Sequence, residues 1–507
     1  MRLKTLTFYI AGILCMPAFY AQNINDAVRY AQDNISGSAR YRALSGAFTA
    51  LGGDLSATNL NPAGSAVFNN SFTSFTLTNI NSKTKTSFFD THNSNSDSDT
   101  EFTQIGAALV FYSPNLRDNF KKFSFAITYD KTQDFRNDWT ANGVNTNSID
   151  SYFLENAQGL RLDQISALAN ESYSQAYAEI GRLYNSQHQQ AFLGYESYII
   201  EPLEYTDENT EYTSNIAPGT FNQRYVYAST GYNGKIAANL AAEATDKLYV
   251  GINLNAHFIN FDRYTYLFES NSNSGSLVRS VNFENTLSTI GSGFSFQLGG
   301  IYKATDRLRL GLTYNSPIWY TIEEETTQNL TTRRYDNGTD ITQAVNPRIS
   351  NIYPAYKLQT PGKIGAGVAY VFGYQGLISV DYSYKDYGNT KFKPKNDVYF
   401  SEQNNIIENN LKAASTFAIG GEYRLKQLSF RGGYRFEESP YKDGNTIGDL
   451  SGYSLGIGYS FGGTKLDFTY DMSQRDSEQQ LYNVGLTDAV ALDNRNSNFT
   501  VSLSFAL

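Results

Sequence analysis

The sequence predicts an all-β protein: a transmembrane antiparallel β-barrel of about fourteen strands, with an N-terminal hatch (plug) in its lumen. The first observation is at the C-terminus, where Phe499, Val501, Leu503, Phe505 and Leu507 alternate with small or polar residues. A period of two places one face of a strand against apolar surroundings and the other against polar ones. The second observation is that this rhythm recurs along the chain, and the third is that short and long connections alternate, as in outer-membrane barrels.

The composition favours one large barrel over several soluble domains. The 507 residues include 39 Tyr, 33 Phe and 40 Gly but only 11 Pro, a balance typical of strands with aromatic girdles and a tightly packed interior. Mean hydropathy is −0.42, but a barrel places its lipid-facing residues at alternate positions, so the average does not reveal them. The net charge of −9 argues against a nucleic-acid partner.

Residues 1–21 have the pattern of a signal peptide. Arg2 and Lys4 give a positive start, an apolar run covers residues 6–16, and cleavage is expected after Ala21. The run is shorter than the roughly 20 residues that a spanning helix needs, which disfavours the alternative of a short N-terminal anchor helix. The sequence therefore predicts export to the outer membrane of a Gram-negative cell.

The wall strands are predicted from about fourteen alternating segments, with boundary errors of roughly two to four residues. Their starts lie near Ser71, Glu101, Lys122, Gln223, Lys247, Leu277, Asp306, Ile352, Gly376, Leu411, Gln427, Leu450, Thr464 and Asn496. An even number suits a bacterial single-chain barrel. Several segments exceed the roughly 9–11 residues that a tilted strand needs to cross the bilayer, so we expect the barrel to rise above the outer surface. The strands form the predicted barrel domain, residues 71–507.

The lengths of the connections predict which end of the barrel faces outward and which faces the periplasm. The long polar ones are predicted at residues 86–100, 136–222, 269–276, 323–351, 386–410, 438–448 and 474–494. Long loops face outward and short turns face the periplasm in outer-membrane barrels, so both chain ends of the barrel are predicted to be periplasmic. A secreted β-sandwich, the soluble alternative, gives no reason for such regular alternation.

The segment before the first strand, residues 22–70, has no period of two and is rich in Gly and small residues. We interpret it as the hatch, packed inside the lumen. Its apolar residues argue against the alternative of a disordered periplasmic tail. They include Phe48, Leu51, Leu55, Leu60 and Phe68, which we predict as ligand-binding residues.

The longest external connection, residues 136–222, breaks the strand rhythm. Apolar residues from Ile165 to Tyr184 fall at helical spacing, which predicts a partly helical cap over the external mouth. Its apolar stripe could bind a hydrophobic ligand or a protein partner. The alternative is that the stripe packs on its own loop.

Within the hatch, Asn61-Pro62-Ala63-Gly64 forms a short motif. Pro62 restricts its own backbone and favours an extended Asn61, and Asn side chains bond nearby backbone in turns. An ordinary turn is the alternative interpretation. Further motifs lie at residues 358–363 (LQTPGK), 365–370 (GAGVAY), 379–384 (SVDYSY), 431–435 (RGGYR) and 439–441 (SPY).

Together these motifs resemble the FadL family of outer-membrane transporters for long-chain fatty acids and other hydrophobic compounds, in particular members of Bacteroidetes type. The Asn-Pro-Ala of that family lies in an N-terminal hatch. The resemblance implies uptake of a hydrophobic small molecule, contact with outer-membrane lipids, and lateral release into the membrane near an inward kink in the third strand. The third strand here, residues 122–135, has no Gly or Pro to indicate a kink.

Charged residues on the lumen face include Arg431 and Arg435. Opposite charges at such positions usually form ion pairs that hold the wall and plug together, and the alternative is that these arginines bind a carboxylate head group. The sequence gives no metal-ligand spacing among its three His residues, and Cys15, the single Cys, lies in the signal peptide. We therefore expect no cofactor, no metal and no enzyme activity, although barrel proteases and lipases exist.

Two other functions compete with transport of hydrophobic compounds. A barrel of this kind can be an accessory or structural subunit of an outer-membrane secretion or assembly complex, an alternative motivated by the large external insertion. A nonspecific porin is disfavoured by the predicted plug.

Overall fold

The computed structural model describes residues 23–113, 120–336 and 338–507; the predicted signal peptide lies outside them. The strands are β1 (Phe72–Phe88), β2 (Thr91–Tyr112), β3 (Lys122–Asp134), β4 (Asn137–Asn145), β5 (Ile200–Pro202), β6 (Tyr212–Ser214), β7 (Phe221–Thr245), β8 (Leu248–Ser270), β9 (Val278–Lys303), β10 (Leu308–Asn315), β11 (Trp319–Asp336), β12 (Thr339–Val345), β13 (Asn351–Gln359), β14 (Lys363–Val371), β15 (Gly376–Asp386), β16 (Lys391–Lys393), β17 (Ala413–Leu425), β18 (Leu428–Glu437), β19 (Ile447–Ser460), β20 (Thr464–Gln480) and β21 (Ala489–Ala506).

Helices occur in the hatch segment and in the external connections. The α-helices are α1 (Ile24–Ala31), α2 (Ala39–Ala43), α3 (Leu55–Thr58), α4 (Asp150–Ala157), α5 (Tyr173–Leu183), α6 (Ser186–Glu196) and α7 (Val398–Asn410). Short 3₁₀ helices cover Pro62–Val67, Leu162–Gln164 and Tyr387–Asn389. In the described part of the chain, no helix has the length and apolar content required to cross a bilayer.

The sheet closes on itself. Neighbouring wall strands pair antiparallel, and β1 pairs with β21 from Phe72↔Ala506 to Ser87↔Ala491. Four wall positions are each occupied by consecutive strands with short interruptions between them, namely β3/β4, β10/β11, β12/β13/β14 and β15/β16. Counted this way, the described residues form a closed antiparallel barrel of fourteen strands, which confirms the predicted fold class and strand number.

Side chains alternate across the wall as predicted. On β21, Val501 and Leu503 are exposed on the outer surface, whereas Thr500 and Ser502 are buried on the inner one. The same alternation recurs on β14, where Ile364 is exposed. The outer surface thus carries apolar residues suited to lipid, and the inner surface carries hydroxyl and amide groups suited to a polar lumen.

Four of the predicted long loops are partly regular structure instead. Residues 474–494 contain the ends of β20 and β21. Residues 86–100 are the upper parts of β1 and β2, joined by a tight turn, and residues 323–351 contain the β11–β12 hairpin. Residues 386–410 contain α7. These strand ends are rich in Ser, Asn, Thr and Asp because they stand above the membrane with water on the outside, so they lack the apolar alternation that identifies a spanning strand.

The predicted cap segment, residues 136–222, contains helices. The helical spacing predicted from Ile165 to Tyr184 corresponds to α5 only from Tyr173 onward, since residues 165–172 contain no α-helix, and α4 and α6 were not predicted. The cap shares one apolar core with the upper wall, in which Trp139, Phe153, Phe192 and Phe283 are almost fully buried. Part of the predicted apolar stripe, including Ile180, therefore packs within the cap and onto the wall.

Candidate functional site

Residues 23–70 lie in the lumen as a compact chain of short helices. Each α-helix has a side-chain N-cap: Asn23 caps α1, Ser38 caps α2 and Asp54 caps α3. Apart from these turns the segment has little regular structure, so its remaining backbone groups need partners from the wall. The hatch is consequently held by bonds to many strands.

The Asn61-Pro62-Ala63-Gly64 motif joins two parts of the hatch to the wall. Pro62 begins the 3₁₀ helix Pro62–Val67, and Asn61 is its N-cap, with Oδ1 accepting from the amide of Ala63 at 3.1 Å. The Asn61 amide nitrogen donates to the carbonyl of Thr49 at 2.7 Å and to that of Gly300 on β9 at 3.1 Å. Asn61 is almost fully buried, so these bonds fix the loop at a position that water does not reach.

Inward-facing glycines of the wall make room for the hatch backbone. They form directly opposed pairs, Gly251↔Gly299, Gly311↔Gly367 and Gly420↔Gly433, on neighbouring strands. A Cβ at Gly251 would lie 2.5 Å from the carbonyl of Pro62, and one at Gly433 would lie 2.7 Å from Leu44. Real Cβ atoms do not approach backbone so closely, so only glycine permits this contact. The sequence analysis missed these pairs; glycines at lumen-facing positions of adjacent strands were the available signal.

Buried ion pairs provide the second type of contact. Arg40 bonds to Glu422 at 2.9 Å, and Arg42 bonds to Asp471 through two nitrogens at 2.8 and 2.9 Å. A third contact is half exposed: Asp33 lies 3.1 Å from Lys363 and 3.2 Å from Lys385. Because removing one partner of a buried pair leaves an uncompensated charge, such pairs strongly favour one seated position of the hatch.

The two arginines predicted from the sequence are both engaged with carboxylates. Arg431 bonds to Glu422 at 2.7 Å and to Asp467 at 2.6 Å. Arg435 lies 3.1 Å from Glu437 and also borders a cavity. The ion-pair interpretation therefore describes Arg431, while Arg435 retains access to open space.

The predicted apolar ligand residues pack between hatch and wall. Phe48 and Leu51 belong to a cluster with Leu44, and Leu60 packs at its edge. Leu55 and Phe68 belong to a second cluster against small residues of β2 and β3. Among these five, Leu60 borders a cavity, and the other four are buried in closed packing.

Two cavities separate the hatch from the wall. The lysine cavity, about 170 Å³, is bordered by Asp33, Lys235, Lys363 and Lys385 among other polar residues. The seam cavity, about 150 Å³, is bordered by hatch residues 34–36 and by the end of β3. Both are smaller than the roughly 300–1,000 Å³ of typical pockets for small molecules, so passage of a long apolar molecule requires the hatch to shift.

Beside the seam cavity the wall has a gap in its ladder. Strands β2 and β3 pair from Tyr112↔Lys122 up to Gln104↔Asp130, and in the described chain no ladder pair joins β2 to β3 or β4 beyond that point. On the other side of β3, the ladder with β7 shifts its register between Lys131 and Gln133, as at a β-bulge. The gap, called the β2–β3 seam below, is bridged by side chains.

Ion pairs form that bridge. Lys131 contacts Glu101, and Arg136 contacts both Asp99 and Glu101, the latter at 2.9 Å. The sequence did not reveal this arrangement, because it depends on which residues a bulged strand brings opposite β2.

The remaining candidates for a chemical site are the histidines and any metal-binding group. His257 is buried and shares a hydrogen bond of 2.8 Å with Ser295. Within residues 23–113, 120–336 and 338–507, no group of three or more His, Cys, Asp or Glu is placed to hold a metal ion.

Comparison with known proteins decides the family. The family model for outer membrane protein transport proteins (OMPP1/FadL/TodX) matches residues 208–504, more than half of the chain. The chain belongs to this family. It is therefore a FadL/TodX-type protein of the outer membrane, in a family that transports hydrophobic compounds, and the predicted family and location are confirmed.

Solved structures share the fold of this FadL/TodX-type chain. A crystal structure of a Pseudomonas aeruginosa FadL homologue is similar at 11% identity and a TM-score of 0.53, covering 94% of this chain and 99% of that one. A crystal structure of the P. putida toluene transporter TodX is similar at 13% identity and a TM-score of 0.50, covering 93% and 98%. At these identities the likeness is one of fold. No curated protein matches the sequence.

Proposed function

We propose that the protein takes up hydrophobic carboxylates such as long-chain fatty acids and releases them laterally into the membrane through the β2–β3 seam. In this proposal residues 1–21 are the signal peptide, residues 22–70 are a movable hatch, and residues 71–507 are the barrel with the external cap of residues 136–222. The protein acts as a channel and performs no catalysis.

The lysine cavity supports a ligand with an anionic head. Lys235, Lys363 and Lys385 border it, and the carboxylates at its edge belong to Asp33 and Asp130. The cavity is thus bordered by one more ammonium group than carboxylates, so one further negative charge would balance the charges around it. When the hatch shifts, an apolar tail would contact Leu60 at the cavity and then Phe48 and Leu51 behind it. Arg435, at the seam cavity, is a second proposed contact for the carboxylate.

The single observation that carries the proposal is the gap in the ladder between β2 and β3. A continuous ladder would have to break several backbone hydrogen bonds to open, whereas the seam is bridged by side chains that can rotate away. Phe102 is exposed on the outside of β2, and Thr100, the next outward residue toward the β1–β2 turn, is polar, which supports a seam at the outer edge of the lipid-facing surface. A solute leaving there enters lipid without crossing water.

A cross-link across the seam tests lateral release. We propose the variant Glu101→Cys/Arg136→Cys, treated in cells with a short bis-maleimide, with uptake of a radiolabelled long-chain fatty acid as the measurement. Cross-linking is expected to abolish most uptake, because the strands can no longer separate. Cys15 lies in the expected signal peptide, so the mature chain should offer no competing thiol.

A control pair lies lower on the same strands. Ile105 and Tyr129 are direct ladder partners, so cross-linking Ile105→Cys to Tyr129→Cys joins strands that are already bonded and is expected to leave uptake unchanged. Equal uptake with and without the seam cross-link contradicts lateral release. Absence of fatty-acid uptake in the untreated protein contradicts the substrate class itself.

A second proposal, a protein partner at the external cap, is favoured by exposed apolar side chains on the insertion. Leu168, Leu203 and Tyr205 are 69%, 59% and 74% exposed. Native purification followed by mass spectrometry of co-purifying proteins and lipids separates the two proposals. A stoichiometric protein without any lipid favours an accessory subunit, and bound fatty acid without a partner favours transport.

A further inference from the structure

The outer surface formed by β19, β20, β21 and β1 is a regular lattice of outward side chains. Ladder pairing aligns Ile457, Phe468, Val501 and Leu77 in one row, and Leu455, Tyr470, Phe499 and Asn79 in the next. Successive rows lie two residues apart, about 7 Å along the strands. Each row therefore lies at a different depth in the membrane.

Between these side chains runs an apolar groove, called the outer groove below, of about 380 Å³. Its outward-facing lining residues are Leu455, Ile457, Phe468, Tyr470, Phe499 and Val501. The rings of Tyr470 and Phe499 pack at a tilt of 46°, with centroids 5.0 Å apart, and aromatic side chains mark the boundary between hydrocarbon and head groups. The groove thus lies in hydrocarbon, with its upper end at the interface.

Above the aromatic pair the rows turn polar and then positive. The next row contains Met472, Ser497 and Asn81, and the row after it contains Gln474, Arg495 and Lys83. Arg495 and Lys83 are direct ladder partners with both side chains exposed. Like charges opposite each other are unfavourable on a strand pair, so an anion between them would relieve the repulsion.

The neighbouring acid neutralises this row only in part. Asp493 lies one row higher, 3.3 Å from Arg495 and 3.9 Å from Lys85, and it is paired in register with Asp476. Lys83 has no carboxylate within ion-pair distance in the described part of the chain. The charged row nearest the apolar band therefore carries two positive charges, and the one acid that reaches it pairs with Arg495 and leaves Lys83 uncompensated.

We propose that this face is a binding site for one outer-leaflet lipid with a phosphate-bearing head group. An acyl chain occupies the outer groove, and the phosphate lies between Arg495 and Lys83, about 13 Å further along the strands. Guanidinium groups match phosphate geometry, and basic residues near a membrane surface attract anionic head groups. The site lies on the outside of the wall and is independent of the transported compound.

Native mass spectrometry of the full chain in detergent tests the proposal, with bisphosphorylated lipid A as the probe and its dephosphorylated form as the comparison. We expect one lipid A to remain bound, and its retention to fall on the order of tenfold for the variant Lys83→Gln/Arg495→Gln. Leu455→Trp fills the groove without changing charge and is expected to lower retention of both probes. Heat-dependent gel migration verifies that each variant is folded.

Lys357→Gln provides a matched control, because Lys357 is an exposed lysine on the outside of β13, on another part of the wall. Its retention of lipid A should equal that of the unmodified protein. The proposal is overturned if the double variant retains lipid A equally well, if Lys357→Gln lowers retention as much, or if the dephosphorylated form binds with equal strength.

Discussion

Arg42 of the hatch forms a two-point salt bridge with Asp471 of β20, with N–O distances of 2.8 and 2.9 Å. The two residues are 429 positions apart in the chain, and both are largely buried. Arg42 also donates to the carbonyl of Ile35 at 2.9 Å. One side chain thus joins the hatch backbone to the wall and orders the path between α1 and α2.

Arg42→Ala is expected to loosen the hatch while leaving the barrel intact. Breaking a buried pair leaves Asp471 without its partner and costs about 3–5 kcal/mol. Hydrogen exchange of residues 36–45 should accelerate, and single-channel conductance in planar bilayers should rise. Arg182→Ala removes an exposed pair with Glu179 on the cap and should change neither measurement. Unchanged exchange in the Arg42 variant contradicts this role.

Gly299→Ala should displace the Asn-Pro-Ala loop. The added Cβ would lie 2.7 Å from the ring of Pro62 and still closer to Asn61, and overpacking of this kind typically costs about 1–3 kcal/mol. The neighbouring Gly300 faces outward, where a Cβ would meet its nearest atom at 3.7 Å, so Gly300→Ala is the matched control. Conductance and protease sensitivity of the hatch are expected to rise only for the first variant.

Asn61→Asp separates the two functions of the Asn61 side chain. Aspartate still accepts from the Ala63 amide as an N-cap, but it cannot donate to the carbonyls of Thr49 and Gly300. We expect Asn61→Asp and Asn61→Ala both to accelerate hydrogen exchange at residues 49–64, because each leaves buried carbonyls without a donor, at about 1–3 kcal/mol. If Asn61→Asp exchanges like the unmodified protein, capping alone explains the motif. Asn70→Ala, at an exposed position, is the control.

The cap is expected to lose stability as pH rises from about 4.5 to about 7. Glu269 accepts hydrogen bonds from Ser148, from the Ile149 amide at 3.0 Å and from Gln223 at 2.8 Å. It lies outside the membrane-spanning part of β8, roughly 35 Å along the strand from Phe258, which is the last outward apolar residue before polar ones. Burial raises the pKa of Glu269 to about 7 despite these bonds, from 4.5. The folded cap therefore binds more protons than the unfolded cap in this window, and stability falls as pH rises, by an amount on the order of 3 kcal/mol.

Tryptophan fluorescence can measure that change. Trp139 is almost fully buried in the cap core, and Trp319→Phe removes the other tryptophan of the chain. Denaturant midpoints for the cap should shift downward between pH 4.5 and 7 and remain constant above it. Glu269→Gln is expected to flatten this dependence, and an equal pH dependence in that variant would assign it to other groups.

The predicted strand starts lie within three residues of the observed ones for most strands, for example Lys122 for β3 and Thr464 for β20. The exceptions are β2, whose upper part has polar residues on both faces, and β21, whose first residues, Ala489-Val490-Ala491-Leu492, are apolar or small on both faces. The position of Asn61 in the hatch was also predictable, since its neighbours have no period of two. Its partner Gly300 was not, because strand periodicity does not indicate which wall carbonyl meets the hatch.

The sequence by itself determined the barrel and its strand number, since alternation along a strand is a local property set by lipid on one side and a polar lumen on the other; the orientation of the barrel stays a prediction. Only the tertiary structure decided where the hatch is seated, which arginines are neutralised and where the ladder between β2 and β3 ends. Arg42 meets Asp471 only after the sheet has closed. Contacts between residues hundreds of positions apart depend on the register and curvature of the whole wall, which no single segment encodes.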